Sequence, residues 1–168
     1  MLVLPTVILV SPIAQWASAR VDRALTPVQP VASSPRDIAL AAWRANAAGH
    51  AGGGFDPWLD SLAEDVRITM PIGPFRGETI GKAGAGRIYA MIVSAEPRLV
   101  YEEPLRVTDR GDTVVIEFDD HGTIAGIPYR NRIAASFEVR DGKISAYREY
   151  FGDIDPAIVA MMTATRKT

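Results

Sequence analysis

Two carboxylates draw attention because each sits inside an apolar alternating pattern. Asp120 follows Val114, Ile116 and Phe118 at every second position, and Glu149 lies between Tyr147 and Phe151 at the same spacing. Alternate residues of a strand share a face. Both carboxyls are therefore expected on an inward apolar face, Asp120 at its rim. Tyr129, Asn131, Ile133, Ala135 and Phe137 form a third inward set by the same parity. Polar groups on such a face are costly unless they bond to one another or to a ligand. A carboxyl held there has a raised pKa, which suits a general acid or base. Two such carboxyls close together separate in pKa and can divide the roles. Asp120 and Glu149 are thus the expected catalytic pair. Tyr129, Asn131 and Tyr147 are expected to orient a substrate, with Phe118, Met70 and Ile133 as walls. Trp43 joins the substrate-binding set, although its helical spacing also suits a core position. The competing expectation is a polar network that satisfies itself. The opposite face carries Glu117, Asp119, Arg130, Arg132 and Arg148, which suit exposed cross-strand ion pairs.

Other chemistry finds little support. The 168 residues contain no Cys, which excludes thiolate catalysis and Cys-based zinc sites. The two histidines, His50 and His121, lie far apart in sequence, so no metal site is expected. Gly77 to Lys82 has the wrong glycine spacing for a phosphate loop, and Ala83 stands where Ser or Thr is needed. Gly84-Ala85-Gly86 lacks a preceding strand, so no dinucleotide fingerprint is present. No cofactor is expected. The net charge of −2 favours neither nucleic acid nor an anionic membrane as partner.

The elements that position these residues are readable in outline. Ser34-Pro35-Arg36-Asp37 reads as a capped helix start, and helical spacing continues through Trp43 to about Gly49. A short second helix is expected over residues 56–63, a half-buried strand over 66–70, and a third helix over 78–94. Four strands follow, at about 99–107, 113–120, 129–140 and 144–151. Asp141-Gly142 is a hairpin signal, and His121-Gly122 reads as a turn. The layer pattern is α+β, a curved antiparallel sheet wrapped on three helices. Residues 1–35 form a separate N-terminal segment. Its apolar run and Ala17-Ser18-Ala19 resemble a signal peptide, but the start carries no Lys or Arg. A cytoplasmic protein is favoured, with export expected only if residues 1–19 act as a leader. Residues 156–168 are expected to form a short helix and a basic tail.

Three stretches carry a family resemblance. They are residues 62–66 running into Met70-Pro71-Ile72-Gly73, then Phe75-Arg76-Gly77-Glu78-Thr79-Ile80, and finally Tyr129-x-Asn131 with residues 137–144 and 147–151. In this order and spacing, residues 36–155 resemble the SnoaL-like, or nuclear transport factor 2-like, superfamily. The resemblance implies a cone-shaped α+β barrel with an internal pocket for a small organic molecule, and a homodimer. It also implies cofactor-independent acid/base chemistry of isomerase, cyclase, dehydratase or hydrolase type, or else a non-catalytic binding or dimerisation module. Limonene epoxide hydrolase-like enzymes bridge two carboxylates with an arginine. That position falls here on Phe118 or Glu117, leaving Arg67 as the substitute. Ketosteroid isomerase-like enzymes carry their base where Met70 stands. SnoaL-type polyketide cyclases use one acid/base carboxylate, a role open to Asp120 with His121 beside it.

Overall fold

The structure is a computed structural model that describes residues 33–152. The expected leader, linker and C-terminal helix lie outside the described residues.

Helix α1 (Pro35–Ala48) starts where its capping chemistry dictates. The Ser34 hydroxyl accepts the Asp37 N–H, the Asp37 carboxylate accepts the Ser34 N–H, and Pro35 occupies the first turn. Ala39, Ala42, Trp43 and Asn46 form its buried stripe. The helix loosens into one π-helical turn, Gly49–Gly53, in which Gly52 has a φ of 100°. A Cβ at Gly49 would come within 2.3 Å of the Phe55 ring. Only glycine lets the chain fold back this tightly. Helix α2 (Asp56–Ser61) then buries Trp58.

Strand β1 (Leu62–Met70) leads to β2 (Gly77–Ile80), which pairs with it antiparallel. Sequence spacing places Glu78–Ile80 in the third helix, whereas the chain there is a strand. Pairing with β1 overrides local propensity here, and α3 runs only from Lys82 to Ser94. Gly84 lets α3 approach this hairpin, since a Cβ would lie 2.5 Å from the Thr79 methyl. The expected strand at 99–107 is two strands, β3 (Arg98–Tyr101) and β4 (Arg106–Arg110). Strands β5 (Thr113–Ile124), β6 (Ile127–Arg140) and β7 (Lys143–Phe151) complete the set.

The sheet order is β2-β1-β7-β6-β5-β3, with β4 also paired to β5. The sheet is curved and unclosed, and it is not wholly antiparallel: β1 runs parallel to β7. Parallel neighbours need a long crossover, and the chain supplies one between them. The β6–β7 hairpin turns at Asp141 and Gly142, with φ values of 52° and 74°, as the Asp-Gly signal requires. His121-Gly122 is not a turn. β5 continues through it, and Ala125 and Gly126 turn the chain instead. Gly122 is needed because a Cβ there would sit 2.0 Å from the Arg98 carbonyl oxygen on β3.

The core lies between the inward sheet face and the helices. Trp58, Ile68, Ile88, Ile116, Phe118, Phe137 and Tyr147 are all buried there. Trp58 meets Tyr147 and Tyr89 edge-on, with centroids 5.0 and 5.7 Å away. No helix among the described residues is long and apolar enough to cross a membrane.

Candidate active site

Burial along β5 alternates residue by residue and brings Asp120 inward, 2 % exposed. Glu149 is brought inward from β7 and is 8 % exposed. In the register, Asp120 faces Asn131, Glu149 faces Ala135, and Ile133 lies between Phe118 and Phe151. Both carboxyls open into one cavity of about 290 Å³. Its walls are mostly apolar and include Met70, Met91, Ile92, Leu99, Ile133 and Phe151. Its polar residues are Asp120, Glu149, Tyr129, Tyr101, His50 and Ser94. An apolar hollow with a few convergent polar groups is the usual form of a small-molecule site.

The electrostatics follow from burial. Asp120 is pushed up to about 7, first by burial and then by the Glu149 charge, with a hydrogen bond from Tyr129 pulling the other way. Asp120 Oδ1 is buried and has no hydrogen-bond partner among the described residues. Glu149 is also raised by burial, and its hydrogen bond from the Tyr147 hydroxyl opposes the shift. Tyr101 and Tyr147 are raised well above the ordinary phenol value, by burial and then by the Glu149 charge. They remain hydrogen-bond donors across the working pH range. The Tyr101 hydroxyl donates to Asn46 Oδ1 at 3.4 Å, and Asn46 Nδ2 donates to the Tyr89 hydroxyl at 3.0 Å. Burial lowers His50 to about 4, so its ring is neutral. Among the described residues no group of three or more His, Asp or Glu side chains could hold a metal ion.

Of the residues singled out by sequence, Asp120, Glu149, Tyr129, Met70 and Ile133 line the cavity. Tyr147 stands behind it, its hydroxyl on Glu149. Phe118 and Trp43 are core rather than wall residues. They meet edge-on at 5.5 Å, and Tyr101 covers both. Asn131 is buried, but it lines an open groove with Asp119, His121, Arg130 and Arg132. Its Oδ1 accepts the Arg132 N–H at 2.8 Å.

The outer face holds ion pairs. Asp119 pairs with Arg132 at 2.7 Å as expected, whereas Glu117 pairs with Arg106 at 3.6 Å and Arg148 with Glu138 at 2.7 Å. Arg67 is exposed and pairs with Glu78 at 2.8 Å, so it cannot bridge the inner carboxyls. His121 is exposed and lies 3.2 Å from Glu102. The residues missed by sequence reasoning are Asn46, His50 and Tyr101. Asn46 and His50 continue the α1 stripe of Ala39, Ala42 and Trp43 by helical steps, a signal that was available. Nothing comparable marks Tyr101.

A sequence model of the SnoaL-like domain matches residues 36–147. No curated protein matches the chain. Among solved structures, an NTF2-like protein from Anabaena variabilis is 36% identical, with 73% of this chain and 94% of that one covered and a TM-score of 0.68. A protein from Xanthomonas campestris, provisionally assigned as a polyketide cyclase, is 26% identical over 71% of this chain and 93% of that one, with a TM-score of 0.57. TerC, co-crystallised with polyporic acid, shares the fold at 22% identity over 78% and 99% of the two chains, with a TM-score of 0.60.

Proposed function

The chain belongs to the SnoaL-like domain family, and on that premise we propose that its cavity binds a small, mostly apolar organic molecule and performs cofactor-independent acid/base chemistry on it. The reaction class is proton transfer: isomerisation, cyclisation, dehydration or hydration. The observation that carries this reading is the pairing of Asp120 and Glu149 in one apolar hollow, with Asp120 poised at about 7. A group with that pKa is populated in both protonation states near neutral pH, the condition for efficient proton transfer. Asp120 would be the group that exchanges its proton with substrate. Glu149, sharing the hollow, would hold the complementary state. Tyr129 orients Asp120 through its hydroxyl. Met70 and Ile133 give the substrate its apolar walls. The assignment of a relative from Xanthomonas campestris as a polyketide cyclase is consistent with this class.

One observation favours a second reading, a non-catalytic ligand-binding module. Glu149 already accepts the Tyr147 hydroxyl, so at least one carboxyl has an internal partner. The two readings separate in deuterated water. A panel of small ketones with acidic α-hydrogens is incubated with the protein and deuterium uptake is followed by NMR. Acid/base chemistry gives exchange that Asp120→Asn and Glu149→Gln abolish without lowering Tm. Binding without exchange in the unsubstituted protein favours the module. We further propose a homodimer, which light scattering checks, and a cytoplasmic setting, which N-terminal analysis of the expressed protein checks.

A further inference from the structure

His50 lines the cavity, yet the acid/base reading gives it no role. It sits in the π-helical turn Gly49–Gly53, a feature that often marks functional sites. Its ring is clamped. Tyr101 stacks on its face with centroids 5.4 Å apart and an interplanar angle of 26°, and Phe55 meets it edge-on at 5.0 Å. Gly49 is what lets Phe55 reach that position. The ring forms part of the cavity wall, yet its Nδ1 is sealed and has no hydrogen-bond partner among the described residues. Nε2 is therefore the nitrogen within reach of an occupant.

The tautomer follows from the same geometry. A neutral imidazole carries one N–H. Placing it on the sealed Nδ1 would bury a donor with no acceptor, which native proteins rarely tolerate. Placing it on Nε2 leaves only an unused acceptor inside. The ring thus offers an N–H to the cavity while Asp120 and Glu149 offer carboxyl groups. No Lys or Arg lines this cavity. An anionic ligand would meet two carboxyls with no counter-charge, and a carbonyl oxygen would meet donors. The volume of about 290 Å³ holds roughly ten waters, so a probe of about ten non-hydrogen atoms can be accommodated.

We propose that His50 is a substrate-binding residue whose Nε2–H donates a hydrogen bond to the oxygen of an uncharged carbonyl compound held in the cavity. The proposal rests on reading the cavity as the substrate site. Its geometry is that of a neutral imidazole polarising a carbonyl, and burial keeps the ring neutral down to about pH 4.

The test uses the full chain and a matched set of probes: 1-indanone, indane, which lacks the oxygen, and the anion indane-1-carboxylate. Calorimetry or NMR titration gives the affinities at one neutral pH. One hydrogen bond corresponds to a preference of roughly five- to tenfold for 1-indanone over indane. His50→Leu should erase that preference and leave indane binding unchanged. His50→Gln, which keeps a donor, should retain part of it. Nitrogen-15 NMR of the unsubstituted protein should show His50 as the neutral Nε2–H tautomer, shifting on addition of 1-indanone but not of indane. A preference that survives His50→Leu, tighter binding of the carboxylate than of the ketone, or an Nδ1–H tautomer would each overturn the assignment of His50 alone. Failure of both indane and 1-indanone to bind would instead remove the underlying reading of the cavity, and this proposal with it.

Discussion

Replacing Asp120 by Asn should make the protein more stable at high pH than the unsubstituted chain, and the gain should disappear in acid. Asp120 moves from an ordinary value of 3.8 to about 7 on folding, chiefly because burial penalises its charge. The folded state therefore holds the proton more tightly than the unfolded state. The associated stability is fully present below about pH 4 and is lost as pH rises through about 7. A rise of that size corresponds to roughly 4 kcal/mol over the whole range. Between about pH 5 and about pH 8.5 the same relation gives a loss of roughly 2–3 kcal/mol. Asn cannot ionise, so it escapes this loss. Asp37, Asp65 and Asp119 are lowered in pKa and act with the opposite sign, but they are common to both proteins and cancel in the difference. Urea denaturation followed by tryptophan fluorescence measures that difference directly. With a slope of about 1–3 kcal/mol per molar urea, the variant's midpoint should gain about one molar or more on its parent between the two pH values. A stability difference that stays constant within about 0.5 kcal/mol from acid to alkaline pH would refute the buried, protonatable carboxyl.

Other substitutions test the scaffold. Gly122→Ala should cost more than about 3 kcal/mol, because its Cβ would be driven to 2.0 Å from the Arg98 carbonyl oxygen at a φ of 146°; thermal unfolding checks this. Phe118→Ala should cost about 3–5 kcal/mol by chemical denaturation, since the ring is fully buried against Trp43 and Tyr101. Arg132→Ala should cost less than about 1 kcal/mol, because its pair with Asp119 lies on the exposed face. Glu149→Gln should keep the fold, as the amide oxygen can still accept the Tyr147 hydroxyl, and circular dichroism with a melting curve reports that.

Much of this arrangement is legible in alternation alone. The parity of Val114, Ile116 and Phe118 sends Asp120 inward, and the parity of Tyr147 sends Glu149 inward, because one buried face fixes strand register. Asp141-Gly142 turns where its backbone preference dictates. Non-local pairing is what escapes a local reading. Gly77–Ile80 is a strand only because β1 offers it a partner, and His121-Gly122 stays extended only because β3 and β6 lie on either side. Parity also gives direction without depth. It places Phe118, Tyr147 and Tyr129 on one side of the sheet, but only packing decides that Tyr129 meets the hollow while the other two lie behind it. His50 is different: helical spacing from Ala39 through Asn46 puts it on the buried side of α1, and the loosened turn Gly49–Gly53 is what sets its ring at the cavity wall.

The parallel pairing of β1 with β7 also constrains the order in which the chain can acquire its structure. Leu62 finds its partner at Ile144, so nearly the whole domain must be synthesised before the middle of the sheet can close. Until then β1 and β6 each present an unpaired edge, the kind of surface that recruits other chains. Closing so large a loop is entropically slow, and long-range strand pairing of this sort sets folding rates. Glu149 lies on that last strand, so during synthesis the hollow cannot be completed before β7 has been made. A nascent or truncated chain ending before Lys143 would have helices, hairpins and exposed edges, but no finished place for a ligand.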